Sequence, residues 1–142
     1  MRVVIVNGAG SAVLTTVNLP SMSLAAGAFM VIASSTVTLP GGVTRVTFGP
    51  ASNNLQNDAE GVALVSASGL LLDSMTYENP TPASITLTGE ILTEGATGTG
   101  SLVDSNTLNQ SIGRAANSAD TNNNVPDFTV NSATTPGAVN TP

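Results

Sequence analysis

The chain has 142 residues, of which 41% are hydrophobic and 8% charged, with a net charge of -6 at pH 7. That suffices for one domain with a real core and is too apolar for a disordered chain. Its three basic residues are all Arg and well separated, so no basic phosphate-binding surface can form, which argues against nucleic acid and anionic membranes as partners.

The residues that are missing narrow the chemistry further. The chain has no His, so it lacks the commonest general base and metal ligand. Without Cys it has no disulfide framework and no thiolate nucleophile. Without Lys there is no Schiff-base chemistry. No G-x-S-x-G motif is present, and a Ser triad would lack its His. Val, Ser, Thr and Asn are abundant beside 14 Gly and 8 Pro, a mixture that favours strands and turns.

Taken in order, Arg2 to Val6 reads as a short apolar strand, closed by an Asn7-Gly8 turn. Only four apolar residues follow Met1-Arg2, so no signal peptide is expected, and no run approaches the ~18 residues of a membrane span. Ala12 to Leu19 is the expected return strand, ending at Pro20. Ala28 to Ser34 (AFMVIAS) is apolar on both faces, which predicts a central strand. Val43 to Phe48 alternates and predicts another.

The most apolar stretch is NNLQNDAEGVALVSASGLLLDSMTYE, Asn53 to Glu78. A polar loop with one apolar anchor, Leu55, leads into a strand from Glu60 to Ser66. A Ser66–Gly69 turn then leads into a strand from Leu70 to Tyr77. Period-2 reading puts Leu71, Asp73, Met75 and Tyr77 on one face, predicted to be the core face, and Leu70, Leu72, Ser74 and Thr76 on the other. Asp73 on a core face needs donors, and Arg114 is the chosen partner in a structural ion pair.

After Glu78, Asn79-Pro80-Thr81-Pro82 stops the strand. Ser84 to Thr93 (SITLTGEILT) reads as a weak hairpin or an irregular excursion, and Glu94 to Gly100 as loop. Leu108 to Arg114 is a candidate edge strand, Asn117 to Asp127 a polar, turn-rich loop, and Phe128 to Val130 a last strand. No amphipathic helix and no fixed-period repeat emerges. Short strands at roughly ten-residue intervals indicate a single all-β domain over residues 1–142, a sandwich or barrel with long loops and little or no helix.

Two carboxylate patterns bear on chemistry. Asp120, Asn122 and Asn124, with Asp127 nearby, have the alternate spacing of the first ligands of a Ca²⁺ loop. The Gly expected after the third ligand is Val125, however, and the late bidentate Glu position holds Asn131, so an Asx-turn loop competes with a Ca²⁺ site. Glu90 and Glu94 would be glycosidase acids only across a rigid, aromatic-rich cleft, and with 3% aromatics in the chain that reading is rejected.

Four segments in order, SLAAGAFMVIAS, NNLQNDAEGVALVSASGLLLDSMTYE, SIGRAANSADTNNNVPDF and TPGAVN, resemble the lamin-tail domain found in bacterial secreted and surface proteins. The resemblance spans roughly Val3 to Asn140. It implies an immunoglobulin-like β-sandwich and a non-enzymatic module, extracellular or at the cell surface. Such a module would bind a protein or glycan there and would need no membrane insertion. The family's usual opening strand, a Glu-aromatic-Val-Glu-Leu-type run ahead of Val3, has no counterpart here, which implies an open sheet edge. A start that omits the strand, a strand supplied by another chain, or a rearranged sheet would each account for it. The second of these makes the protein a structural subunit that assembles with copies of itself by strand addition.

Overall fold

A computed structural model describes residues 1–49, 55–105, 107–115 and 118–140. Asn53, Asn54 and Asn117, which belong to two of the loops expected above, lie outside the described residues.

The fold is all-β. Strands β1 (Arg2–Asn7), β2 (Val13–Asn18), β5 (Glu60–Val65) and β6 (Leu71–Tyr77) form an antiparallel sheet in the order β2-β1-β5-β6. Three two-stranded pairs complete it. These are β3 (Met30–Ala33) with β4 (Thr44–Thr47), β7 (Thr86–Leu87) with β8 (Glu90–Ile91), and β9 (Ser111–Arg114) with β10 (Phe128–Asn131). One helical turn, α1 (Asn124–Asp127), precedes β10. Pro126 fits there because the first-turn N–H groups of a helix have no intrahelical partner.

The strands form where apolar and β-branched residues run together, and they stop at turn chemistry. Ser66 to Leu70 closes the β5–β6 hairpin: Ser66 N–H donates to Leu70 O at 2.8 Å, and Leu70 N–H donates to Ser66 Oγ at 2.9 Å. Gly69 takes φ 94°, which a side chain would resist. The Ser84–Thr93 segment is a hairpin, turning at Thr88 and Gly89 with φ 50° and 92°, the positive pair that suits a two-residue turn.

Two expectations about the sheet are corrected. The Ala28–Ser34 segment is not central. Its strand, Met30–Ala33, pairs parallel with β4 in a separate ribbon, and the Arg45 guanidinium donates to Ser34 O and Val37 O on the connection between them. Apolarity on both faces did not report which sheet the segment joins or how far it is covered: Phe29 is exposed, and of the strand only Ala33 is buried. The second correction concerns β6. A bulge at Leu72 sets Leu71 opposite Val65 while Asp73 stays opposite Leu64, so Leu71 leaves the face of Asp73, Met75 and Tyr77. It packs instead on the cluster of Val4, Val6, Ala63, Val65, Ile85 and Leu92. Register places Ser74 and Thr76 on that same face, where they are 5% and 0% exposed. The densest core therefore lies on the side expected to be outer.

The core is closed from above by the β7–β8 hairpin, whose flanking Ile85 and Leu92 are both 0% exposed. They come so close to β5 that a Cβ on Gly61 would stand 2.8 Å from Leu92 Cδ1 and 3.0 Å from Ile85 Cγ2. Burying each of these aliphatic side chains is worth about 2 kcal/mol. On the opposite face Ile5 and Val17 are buried, while Val62, Leu64, Met75 and Tyr77 are half-buried. Side chains of the β9–β10 ribbon face them across two clefts. One, of about 160 Å³, lies between Val3, Val62, Leu64 and Met75 and the ribbon's Arg114 and Phe128. The other, of about 360 Å³, is lined by Leu55, Val62, Met75, Tyr77, Asp104 and Ile112.

Candidate functional site

The structure brings Asp73 and Arg114 together. Arg114 Nη2 lies 3.3 Å from Asp73 Oδ2, joining the last residue of β9 to β6. Arg114 also lies 3.5 Å from Asp120 Oδ2 and 3.7 Å from Asp127 Oδ2, and donates to Ala119 O at 3.1 Å. Its guanidinium sits 4.7 Å from the centre of the Phe128 ring, opposite it in the β9–β10 register. A planar, weakly hydrated cation with five donors can serve all these contacts at once.

In this arrangement the four residues of the expected Ca²⁺ loop are engaged with other partners or turned apart. Asp120, Asn122, Asn124 and Asp127 do not present free oxygens to a common centre. Asp127 is 2% exposed. It accepts from Thr121 N–H and Thr121 Oγ1, each at 2.7 Å, and from Asn123 N–H at 3.4 Å. Those donors, the Thr121 N–H foremost, hold its carboxyl below the ordinary aspartate range against the opposing effect of burial. Asp120 accepts from Asn122 N–H at 3.2 Å, an Asx-turn. Asn122 itself is exposed, with φ 54°. Asn124 turns inward to another strand altogether. Among the described residues no group of acidic side chains is placed to hold a metal ion; the cation between Asp73, Asp120 and Asp127 is Arg114.

Asn124 closes one edge of the main sheet. In the β5–β6 ladder, Asp73, Met75 and Tyr77 are opposite Leu64, Val62 and Glu60, and the outer backbone groups of β6 belong to Ser74 and Thr76. Asn124 Nδ2 donates to Ser74 O at 3.1 Å, and its Oδ1 accepts from Thr76 N–H at 3.2 Å. Glu94 Oε1 accepts from Ser74 N–H at 3.4 Å. The Asn124 side chain is tied to Glu94 as well, accepting from Glu94 N–H at 3.1 Å and donating to Glu94 Oε2 at 3.2 Å, and the Asn124 N–H donates to Glu94 O at 2.9 Å. Below them Thr76 Oγ1 lies 2.9 Å from both Thr93 Oγ1 and Thr99 Oγ1, and Asn79 Nδ2 donates to Thr93 Oγ1 at 3.2 Å. The edge that a further strand could have joined is filled by side chains. Burial, followed by the nearby Asp73 charge, raises the Glu94 carboxyl above the ordinary glutamate range. Glu90, its supposed catalytic companion, is exposed on β8.

The other edge of the sheet is β2, which among the described residues pairs with no further strand. Leu19 N–H donates to Met1 O at 3.0 Å, which sets the phase of the β1–β2 ladder. Val17, two residues earlier, faces β1 in the same way, so Thr16 and Asn18 turn N–H and C=O outward. Among the described residues neither has a backbone partner on that side, and both are exposed. Sequence VLTTVN carries neither Pro nor charge to blunt the edge; the ladder shifts register at Leu14, where Thr15 pairs with Ile5 and Val13 with Val6, and is regular from Thr15 to Asn18. A recess of about 240 Å³ lies next to it, between Val4, Val13, Val65 and Leu87, with Thr16 on its rim.

Sequence reasoning missed a third grouping. Glu60, the first residue of β5, is 0% exposed, and burial foremost pushes its carboxyl above the ordinary glutamate range. The Tyr77 hydroxyl is 2.6 Å from Glu60 Oε2 and 2.9 Å from Gln56 O. One hydroxyl proton cannot serve both, whereas a proton kept on Glu60 makes both contacts hydrogen bonds. Burial and the adjacent Glu60 push the Tyr77 hydroxyl far above its ordinary range, so it stays protonated. The signal available in the sequence was a Glu at the start of an apolar strand facing the only Tyr. Compared with known proteins, the chain matches no protein-family model, no curated protein and no solved structure.

Proposed function

We propose that this protein is a non-catalytic interaction module that takes up an extended polypeptide segment along the outer edge of β2. The observation that carries the reading is the contrast between the two edges of one sheet. The outer groups of β6 are met by the side chains of Asn124 and Glu94, while those of Thr16 and Asn18 on β2 point to solvent. Main-chain pairing supplies affinity in strand addition, and pockets for alternate side chains supply selectivity. The recess beside Val13 and Thr16 supports the second part. A sheet edge selects polypeptide over sugar, since it offers backbone donors and acceptors and no aromatic platform.

The absence of His, Cys and Lys from the chain supports a non-catalytic role. The placement of the β9–β10 ribbon over the Val62 and Met75 face, across the two clefts, supports an immunoglobulin-like sandwich as the finer description of the fold. The resemblance to lamin-tail domains adds the setting, outside the cell or on its surface. No helix among the described residues is long and apolar enough to cross a membrane.

The test is selection from a displayed library of random short peptides on the wild-type protein and on Thr16→Pro. Proline removes an N–H that the β1–β2 ladder does not use, so the variant keeps its fold and loses its acceptor edge. Peptides with alternating apolar residues should bind the wild type only. Binding that ignores the substitution, or no binding at all, would overturn the reading.

A further inference from the structure

Resting on that reading of β2, we infer that the strand added there is β2 of a second copy, antiparallel, with a two-fold axis between the two Thr16 residues. The geometry is self-complementary. In an antiparallel ladder, residues whose backbone groups point at the partner must meet residues that do the same. Thr16 faces outward, so Thr16 opposite Thr16 of the second copy satisfies the condition by symmetry. That register puts Val17 opposite Thr15 of the second copy, and Asn18 opposite Leu14, the residue at which the β1–β2 register shifts. An isologous contact of this kind closes on itself and gives a dimer rather than a fibre. The two four-stranded sheets then form one continuous sheet.

Composition favours the pairing. Val13, Thr15, Thr16 and Val17 are all β-branched, and Thr–Thr and Thr–Val cross-strand pairs are among the favourable ones. Charge favours it too. Two copies of a chain with net charge -6 repel each other, yet all nine acidic residues lie at or beyond Asp58, while the chain before it carries Arg2 and Arg45 and no acid. Contact through β2 joins two strands that carry no charge and precede every acid in the chain. Val13, 52% exposed at the end of the strand, gains cover in the same contact. The β6 edge cannot compete, because Asn124 and Glu94 hold its outer groups.

The experiment is sedimentation of the full chain over a concentration series, with four variants. Wild type should show a reversible monomer–dimer equilibrium. Thr16→Pro and Thr16→Lys should both weaken it by about tenfold or more, with unchanged circular dichroism. The chain has no Cys, so Thr16→Cys carries one thiol, and mild oxidation should yield a disulfide-linked dimer. Directly opposite residues of a hydrogen-bonded pair stand about 5.5 Å apart at Cα, within disulfide reach. Asn18→Cys should not cross-link, because Asn18 meets Leu14 and not its own copy. A wild type that stays monomeric, a dimer indifferent to both Pro and Lys at position 16, or a dimer that cross-links through position 18 and not 16 would each overturn the inference. Peptide selection on the monomer separates failure of this inference from failure of the strand-addition reading, because it requires no pairing between copies.

Discussion

The Asn124 carboxamide spans Ser74 and Thr76 as the backbone of a neighbouring strand would, donating to Ser74 O at 3.1 Å and accepting from Thr76 N–H at 3.2 Å. Asn124 is fully buried, so its replacement strands donors and acceptors that water cannot reach. Asn124→Ala should cost about 3 kcal/mol, read from the midpoint of denaturant unfolding. It should also expose a second unprotected edge. Amide exchange at Thr76 should accelerate, and light scattering on storage should rise above wild type. A variant as stable and as soluble as wild type would mean that the carboxamide is dispensable at this edge.

Arg114 holds three carboxylates and stacks on Phe128. Arg114→Lys keeps the charge but loses the planar fork and the ring contact. It should destabilise the chain by about 2 kcal/mol, between the values for exposed and buried pairs. Because Arg114 is the cation at this place, millimolar Ca²⁺ or a chelator should leave the melting temperature of wild type unchanged. A Ca²⁺-dependent rise in melting temperature would restore the Asp120 loop as a metal site.

Stability should be greatest in mildly acidic solution. Glu60, Glu78 and Glu94 are each raised above the ordinary glutamate value of 4.5, first by burial; Asp104 adds to the shift at Glu78 and Asp73 to that at Glu94. A carboxyl raised on folding binds more protons in the native state, so its contribution is full below the unfolded value and lost as pH rises through the folded one. Asp127 works in the opposite sense. Held below 3.8, it contributes above that value and loses its contribution as pH falls through its folded value. Thermal melts from about pH 3 to about pH 8 should therefore decline on both sides of a maximum. Glu60→Gln, which cannot ionise, should flatten the alkaline decline; an identical profile would show that Glu60 does not carry it.

Gly61 and Leu92 should be energetically coupled. A Cβ at Gly61 meets Leu92 Cδ1 at 2.8 Å. Gly61→Ala alone should cost about 1–3 kcal/mol through overpacking, and Leu92→Ala alone about 2–5 kcal/mol through the cavity it leaves. In the double variant the added methyl occupies part of that cavity. Its loss of stability should fall short of the sum by about 0.5 kcal/mol or more in a double-mutant cycle. Strict additivity would mean that the two side chains do not share the space.

Local information determined a good part of this fold. The β5 and β6 strands, their Ser66–Gly69 turn, the β1–β2 hairpin and the short β9 and β10 strands follow from apolar runs bounded by turn residues. Those signals act over a few residues, and the chain carries them plainly. The partnership of Asp73 with Arg114 was also legible, because an acid in an apolar strand needs a donor and the chain has only three cations to offer.

Tertiary structure decided the rest, because burial depends on what lies across the gap. The bulge at Leu72 moved Leu71 to the other face, and no periodicity reports a bulge. Ser74 and Thr76 became the buried ones because Thr93, Thr99 and Asn124 come from later in the chain to satisfy Thr76, and Asn124 to satisfy Ser74. A polar side chain in sequence reads as exposed until its partner is known. The same dependence separates the two edges of the sheet. Sequence alone shows that β2 and β6 are both strands; only the arrival of Asn124 and Glu94 beside β6, with nothing comparable beside Thr16 and Asn18 among the described residues, sets the two edges apart.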